Sequence, residues 1–217
     1  MYDTIILDFV GVIADIDFIK LVKDLPLKQK FSSLRVFLTI KKNPIAKGAF
    51  KDYQKGIINL EEFQDVISEI CPKSAYVLPV VLGNIRRYAT VNEEVLGMAE
   101  VLRNKGIKII VISNTIPETE KIINDNYVAD SVDGIVCSTH VKLRKPSPDI
   151  FKYAIETYNI DPTKTVMIDD SEKNLVAARK FGIQTEKCKN SKETYEFLTE
   201  VLETIDINER KLRYNKS

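Results

Sequence analysis

Asp8, Ser113, Lys145 and the neighbouring pair Asp169 and Asp170 are the residues of this chain whose types and order could do chemistry together. Each stands at or just beyond the end of an apolar run, where buried parallel strands present their carboxyl ends and open α/β sheets place their sites. An aspartate at such an end can serve as a carboxylate nucleophile and form an aspartyl phosphate; taken alone it is as often a turn or cap residue. Ser113 and Thr115, with Asn114 between them, supply hydroxyls and N–H groups just ahead of a helix start at Pro117, a natural place for phosphate oxygens. By itself Ser-Asn-Thr-x-Pro is a helix-capping sequence. Lys145 precedes Pro146 and Pro148, which restrict the backbone, and a point charge fixed there can neutralise both a phosphate and an attacking carboxylate. Two adjacent carboxylates at the end of a buried strand are costly unless a cation lies between them and Asp8, and oxygen ligands of this kind suit Mg²⁺.

The elements that must carry these residues can be read from periodicity. Continuous β-branched runs at 5–7, 107–112, 135–137 and 166–168 have the pattern of strands buried on both faces, which implies parallel pairing through helical crossovers. Helices are expected at 117–125, 147–158 and 172–181, the last ending at Gly182. Strand and helix alternate from about residue 92 onward, the signature of a doubly wound α/β sheet. The stretch 14–91 differs, with helix-like spacing throughout and no comparable run. It reads as an all-helical insert of four or five helices after the first strand, with hinges near 12–17 and 88–93. The expected division is therefore a core of 1–13 and 92–217 and a helical lid of 14–91. Asn59 suits the N-cap of one lid helix, Pro44 the start of another. A last helix begins near 191, and the polar ending INERKLRYNKS reads as frayed.

The composition bounds the function. A chain of 217 residues holds one full core with a smaller insert and no second large domain. Its 32 Lys and Arg balance 31 Asp and Glu, so no global field draws it to nucleic acid or to a membrane, although a local patch is compatible with that sum. No apolar stretch approaches the roughly 20 residues of a membrane span. The first residues lack a basic leader with a cleavage site, so a cytoplasmic protein is expected. Cys71, Cys137 and Cys188 are widely spaced and read as buried, inert thiols rather than a disulfide or zinc frame.

With these segments in hand, the chain resembles the haloacid dehalogenase superfamily, whose Asp-dependent phosphatases share a Rossmann-like core with a helical cap. The most specific part is VKLRKPSPDIFKYAIETYNIDPTKTVMIDDSEKNLVAARKFGI, which is similar to the third and fourth family motifs at their usual spacing. YQKGIINLEEFQDVI resembles the small cap of the sugar-phosphatase and epoxide-hydrolase-related branches. The resemblance implies that Asp8 is the nucleophile and that Ser113, with Asn114 and Thr115, binds the phosphoryl group. It further implies that Lys145 orients both, and that Asp8, Asp169, Asp170 and the backbone carbonyl of Val10 hold Mg²⁺ with Asn174 in support. The implied partner is a small phosphorylated molecule.

Val10 departs from that pattern, because family phosphatases usually carry a second Asp two residues beyond the nucleophile, as general acid and base. Losing such help costs about 10² to 10⁴ in rate, least for good leaving groups. Asp15 and Asp17 lie close enough to be substitutes, but both suit the N-cap of the first lid helix. His140 lies near the expected rim and reads as a bystander, and Lys47 and Lys51 as solvated lid lysines. Two alternatives to a phosphatase follow. A 2-haloacid dehalogenase would use apolar Val10 and a lid cation such as Arg35, but has no need for the metal-suited Asp169 and Asp170. A non-catalytic binder of phosphorylated ligands would have no need of a nucleophile.

Overall fold

The computed structural model describes residues 2–126 and 128–214. From Thr4–Leu7 (β1) the chain turns into Ala14–Ile16 (β2). It then runs through five helices, Phe18–Asp24 (α1), Leu27–Lys42 (α2), Pro44–Gln54 (α3), Leu60–Ile70 (α4) and Leu78–Asn84 (α5), and returns along Ala89–Val91 (β3). Glu93–Asn104 (α6), Lys108–Ser113 (β4), Pro117–Asp125 (α7), Val128–Ser131 (α8), Gly134–Cys137 (β5) and Ser138–Val141 (α9) follow. Pro148–Tyr158 (α10), Thr165–Asp169 (β6), Glu172–Arg179 (α11), Gln184–Lys187 (β7) and Ser191–Tyr214 (α12) complete the described chain.

Five strands form one parallel sheet in the order β5-β4-β1-β6-β7. Because successive strand side chains point to opposite faces, each apolar run feeds two cores at once. Ile5, Leu7, Ile109, Val111, Val166 and Ile168 face α6 and α12 in a core that continues into the helical insert. Ile6, Ile110, Ile112 and Met167 face Ile150 and Phe151 of α10 and Leu175 of α11 on the other side. The chain runs from β1 outward to β4 and β5 on one side and then crosses back to β6 on the other, which makes the carboxyl end of β1 a topological switch point.

Beyond the apolar core it shares with the sheet, the insert is held by polar contacts at its root and at its far end. At its root, β2 and β3 pair antiparallel, Asp15 opposite Thr90. At its far end, Tyr53 Oη donates to the Glu118 carboxylate (2.9 Å), Ser138 Oγ donates to the Gln54 carbonyl (2.6 Å), and Lys142 Nζ donates to the Gly56 carbonyl (2.7 Å). Gly56 has φ +60° and lies so close to α9 that a Cβ would meet the Thr139 carbonyl at 2.9 Å, so a side chain there is excluded.

Several local expectations are met: Asn59 caps α4 in a capping box with Glu62, and Pro44 opens α3 behind the Asn43 cap. Others are corrected. The root ribbon and β7 do not follow from apolar runs, since β2 and β3 are three residues each and β7 is the polar edge segment QTEK. The tail does not fray at 207: α12 continues to Tyr214, because its first half packs through Leu198, Val201 and Ile205 and no Gly or Pro interrupts the rest. Residues 215–217 of the expected frayed ending lie outside the described residues.

Candidate active site

In the sheet register Leu7 is level with Val111 on one side and Ile168 on the other, so one residue later Asp8 stands between the end of β4 and Asp169. Its own N–H donates to the Ile168 carbonyl (3.0 Å), which extends the ladder and fixes the carboxyl above the sheet. Asp8 Oδ1 accepts from the Phe9 N–H at 2.7 Å, and Asp8 Oδ2 lies 2.9 Å from Lys145 Nζ. The same ammonium donates to Asp169 Oδ2 at 2.7 Å. Lys145 and Asp169 are both fully buried, and a charge so placed is tolerated only when paired and hydrogen-bonded.

Asp169 is saturated. Besides Lys145 it accepts from the Ser171 N–H (2.8 Å) and from Asn174 Nδ2 at both oxygens (2.9 and 3.0 Å). Asp170 points instead to the open mouth and passes beside Gly11. At that residue φ is +87°, and a Cβ would sit 3.1 Å from the Asp170 carboxyl, so this approach needs glycine. Oxygens of Asp8, Asp169 and Asp170 all lie within 4.8 Å of one another. Three carboxylates against one ammonium leave excess negative charge. Burial, opposed by Lys145 and reinforced by Asp169, pushes Asp8 up to about 7; burial and Asp169 raise Asp170 as well. Burial alone would lower the Lys145 pKa, but the two facing aspartates raise it. A hard divalent cation fits this donor set: Asp8 and Asp170 retain accepting capacity, and its charge would offset the excess.

Ser113, at the end of β4, is buried, and its hydroxyl has no protein partner among the described residues. The side chains of the next two residues are engaged within the protein. Asn114 uses both ends of its amide on the backbone of Lys145, accepting from its N–H (2.8 Å) and donating to its carbonyl (2.9 Å). Thr115 is fully buried, with Oγ1 2.8 Å from Thr139 Oγ1 and its N–H donating to Ser138 Oγ. Side-chain direction inside a turn decides this, and spacing does not encode it. Val10 packs its side chain against the core that runs into the insert.

The other sequence candidates lie apart from this cluster. Asp17 caps α1 through the Lys20 N–H, as expected. Asp15 does not cap; it accepts from Ser191 Oγ at the root of α12. His140 pairs with Glu120 on the surface. Arg35 and Lys47 are exposed, whereas Lys51 lines a groove of about 490 Å³ between α3 and the loop 142–147, with Lys142, Arg144 and Pro146. Arg144 was not singled out by its sequence context, yet its Nε is buried without a partner and burial lowers its pKa. A second cation directly before Lys145 was the available signal.

A model of the haloacid dehalogenase-like hydrolases matches residues 2–182. The D-ribitol-5-phosphate phosphatase of Bacteroides thetaiotaomicron is 24% identical over 213 residues, covering 93% of this chain and 99% of that protein. A HAD family enzyme of the same organism, solved with magnesium and inorganic phosphate, superposes with a TM-score of 0.66 at 26% identity over 86% of this chain and 94% of its own. A HAD-like hydrolase structure from Porphyromonas gingivalis shares the fold at TM-score 0.74 and 21% identity, over 93% and 98%.

Proposed function

The chain belongs to the haloacid dehalogenase-like hydrolases, and from that premise we propose that it is a Mg²⁺-dependent phosphatase of a small phosphorylated metabolite, with Asp8 as nucleophile. The observation that carries the reading is the Lys145 ammonium bridging Asp8 and the saturated Asp169, which holds one carboxylate in place and leaves its neighbour Asp170 free at the mouth. Asp8 attacks phosphorus, the bond to the leaving oxygen breaks, and an aspartyl phosphate remains; water then attacks the same phosphorus, releasing phosphate and restoring the carboxylate. Ser113 donates its hydroxyl to a phosphoryl oxygen, and Lys145 balances the charge of nucleophile and phosphoryl group. Asn114 acts one step back, by fixing the Lys145 backbone. Asp8, Asp170 and the Val10 carbonyl would hold Mg²⁺, which supplies charge neutralisation at the phosphoryl group.

Val10 has no proton to give, so the leaving group departs as its anion and takes a proton from water. Turnover then falls with leaving-group basicity more steeply than in an enzyme with an acid at this position. The groove lined by Lys51, Lys142 and Arg144 suits the polar remainder of such a substrate.

The test is hydrolysis of p-nitrophenyl phosphate with Mg²⁺ or chelator. Activity is expected with Mg²⁺ alone and is lost in Asp8→Asn. Val10→Asp is expected to raise turnover of an alkyl phosphate by about 10²-fold or more and of the nitrophenyl ester much less. Inactivity of both the parent chain and Val10→Asp in the presence of Mg²⁺ would sink the phosphatase reading.

A further inference from the structure

The outer face of α2 inverts the usual arrangement of a surface helix. Leu27 is 69% exposed, Phe31 68%, Leu34 54% and Leu38 41%, with Phe37 beside them at 52%. Their spacing of four, three and four residues puts the first four within about 60° of one another at ~100° per residue. The opposite side of the helix, through Ser32, Ser33 and Val36, is the buried one. On the same projection Lys28, Arg35 and Lys42 form one shoulder of the apolar stripe, Lys30 and Lys41 the other. Lys41 Nζ lies 4.8 Å from the Phe37 ring centre, so this cation sits against the apolar face. Ile45 continues the exposed apolar residues into α3 at 67%.

The charge is one-sided. Between residues 25 and 51 the chain has seven Lys and Arg and no Asp or Glu, although its net charge is only +1. A basic segment is thus hidden inside a neutral sum, because the remainder of the chain is net acidic.

We infer that this face docks the protein on an anionic lipid surface, with Leu27, Phe31, Leu34 and Leu38 entering the interfacial layer and the flanking lysines and arginine meeting the headgroups. An apolar stripe with cations on both shoulders is the pattern of helices that lie in the plane of such an interface. A second copy of this chain fits poorly, because α2 against α2 sets Lys and Arg shoulders against each other. A protein partner would need acids on both of its flanks in register, a demand that a lipid surface does not make. No helix among the described residues is long and apolar enough to cross a membrane, so the contact is peripheral.

Sedimentation with vesicles tests the inference. The full chain should pellet with phosphatidylcholine mixed with phosphatidylserine, remain in the supernatant with phosphatidylcholine alone, and be released by high salt. Lys28→Ala/Arg35→Ala/Lys41→Ala should lower the partition by about 100-fold, at roughly five-fold per cation, and Phe31→Ser/Leu34→Ser should also abolish pelleting. Both variants change exposed residues, so their melting by circular dichroism should match the parent. Failure of the parent to pellet with either vesicle would overturn the inference, as would pelleting unchanged in both variants. A concentration-dependent dimer dissolved by Phe31→Ser, without vesicle binding, would assign the face to a second copy instead.

Discussion

The end of β1 and the outer face of α2 are inversions of opposite kind. At the first, four charged side chains converge on one spot, two of them wholly out of water; at the second, five large apolar side chains stand in water. The difference lies in who supplies the partner. Lys145, Asp169 and Asn174 satisfy one another inside the fold, so that inversion is stable on its own and leaves the carboxyl of Asp170 and the hydroxyl of Ser113 open beside Asp8. The α2 stripe has no such internal answer. Here the buried charges have their partners within the same chain, whereas the α2 stripe would find its partner only outside it.

The largest effect should come from breaking the internal answer. Lys145→Ala leaves Asp8 and Asp169 buried without their cation, and urea unfolding is expected to show a loss of about 3–5 kcal/mol. A loss under about 1 kcal/mol would mean that the cluster is far wetter than its burial implies. Two phenylalanines of the insert sharpen the contrast next. Phe63 is fully buried and stacks on Tyr53 with ring centres 5.3 Å apart, so Phe63→Ala should cost about 3–5 kcal/mol. Phe31→Ala should stay within about 0.5 kcal/mol of the parent; equal costs would erase the distinction between the two faces. The smallest effect concerns buried groups that carry no charge. Burial, reinforced by Glu120, pushes the Cys137 thiol up to about 11, and burial does the same for Cys188. The thiolate is the reactive form, so at pH 8 both should resist iodoacetamide in the folded protein, by mass spectrometry, and react once urea unfolds it. Labelling of either in the native state at that pH would show that its strand end opens.

The two regions were unequally legible in the sequence. Asp8 and Asp169 stand where apolar runs end, and two prolines after Lys145 restrict the loop that carries it, so type and order pointed to all three although Lys145 lies beyond α9 and not at a strand end. Asn114 and Thr115 belong to the same turn as Ser113, but which of three consecutive side chains faces the ligand depends on backbone direction, and only coordinates supply that. The polar edge strand β7 carries no apolar run because none of its four residues is buried on either face. In α2 both sides are apolar: Val36 and Ile40 read as a core face as well as Leu27 and Phe31 do, so periodicity gave a helix and left open which side is buried. The whole-chain charge then concealed the basic segment, since a sum reports no position.

Gln54, Tyr53 and Gly56 fasten the tip of the insert to α7 and α9 by three hydrogen bonds, while the β2-β3 ribbon holds its root as a strap of two chains. A strap bends as one piece, so swinging the insert away breaks the three tip bonds together. The apolar core that the insert shares with the sheet and the Arg86–Asp125 ion pair (2.8 Å) must part with them, so opening costs well above the ~3 kcal/mol of three hydrogen bonds at ~1 kcal/mol each. An insert held in this way is a fixed wall of the crevice more than a free door.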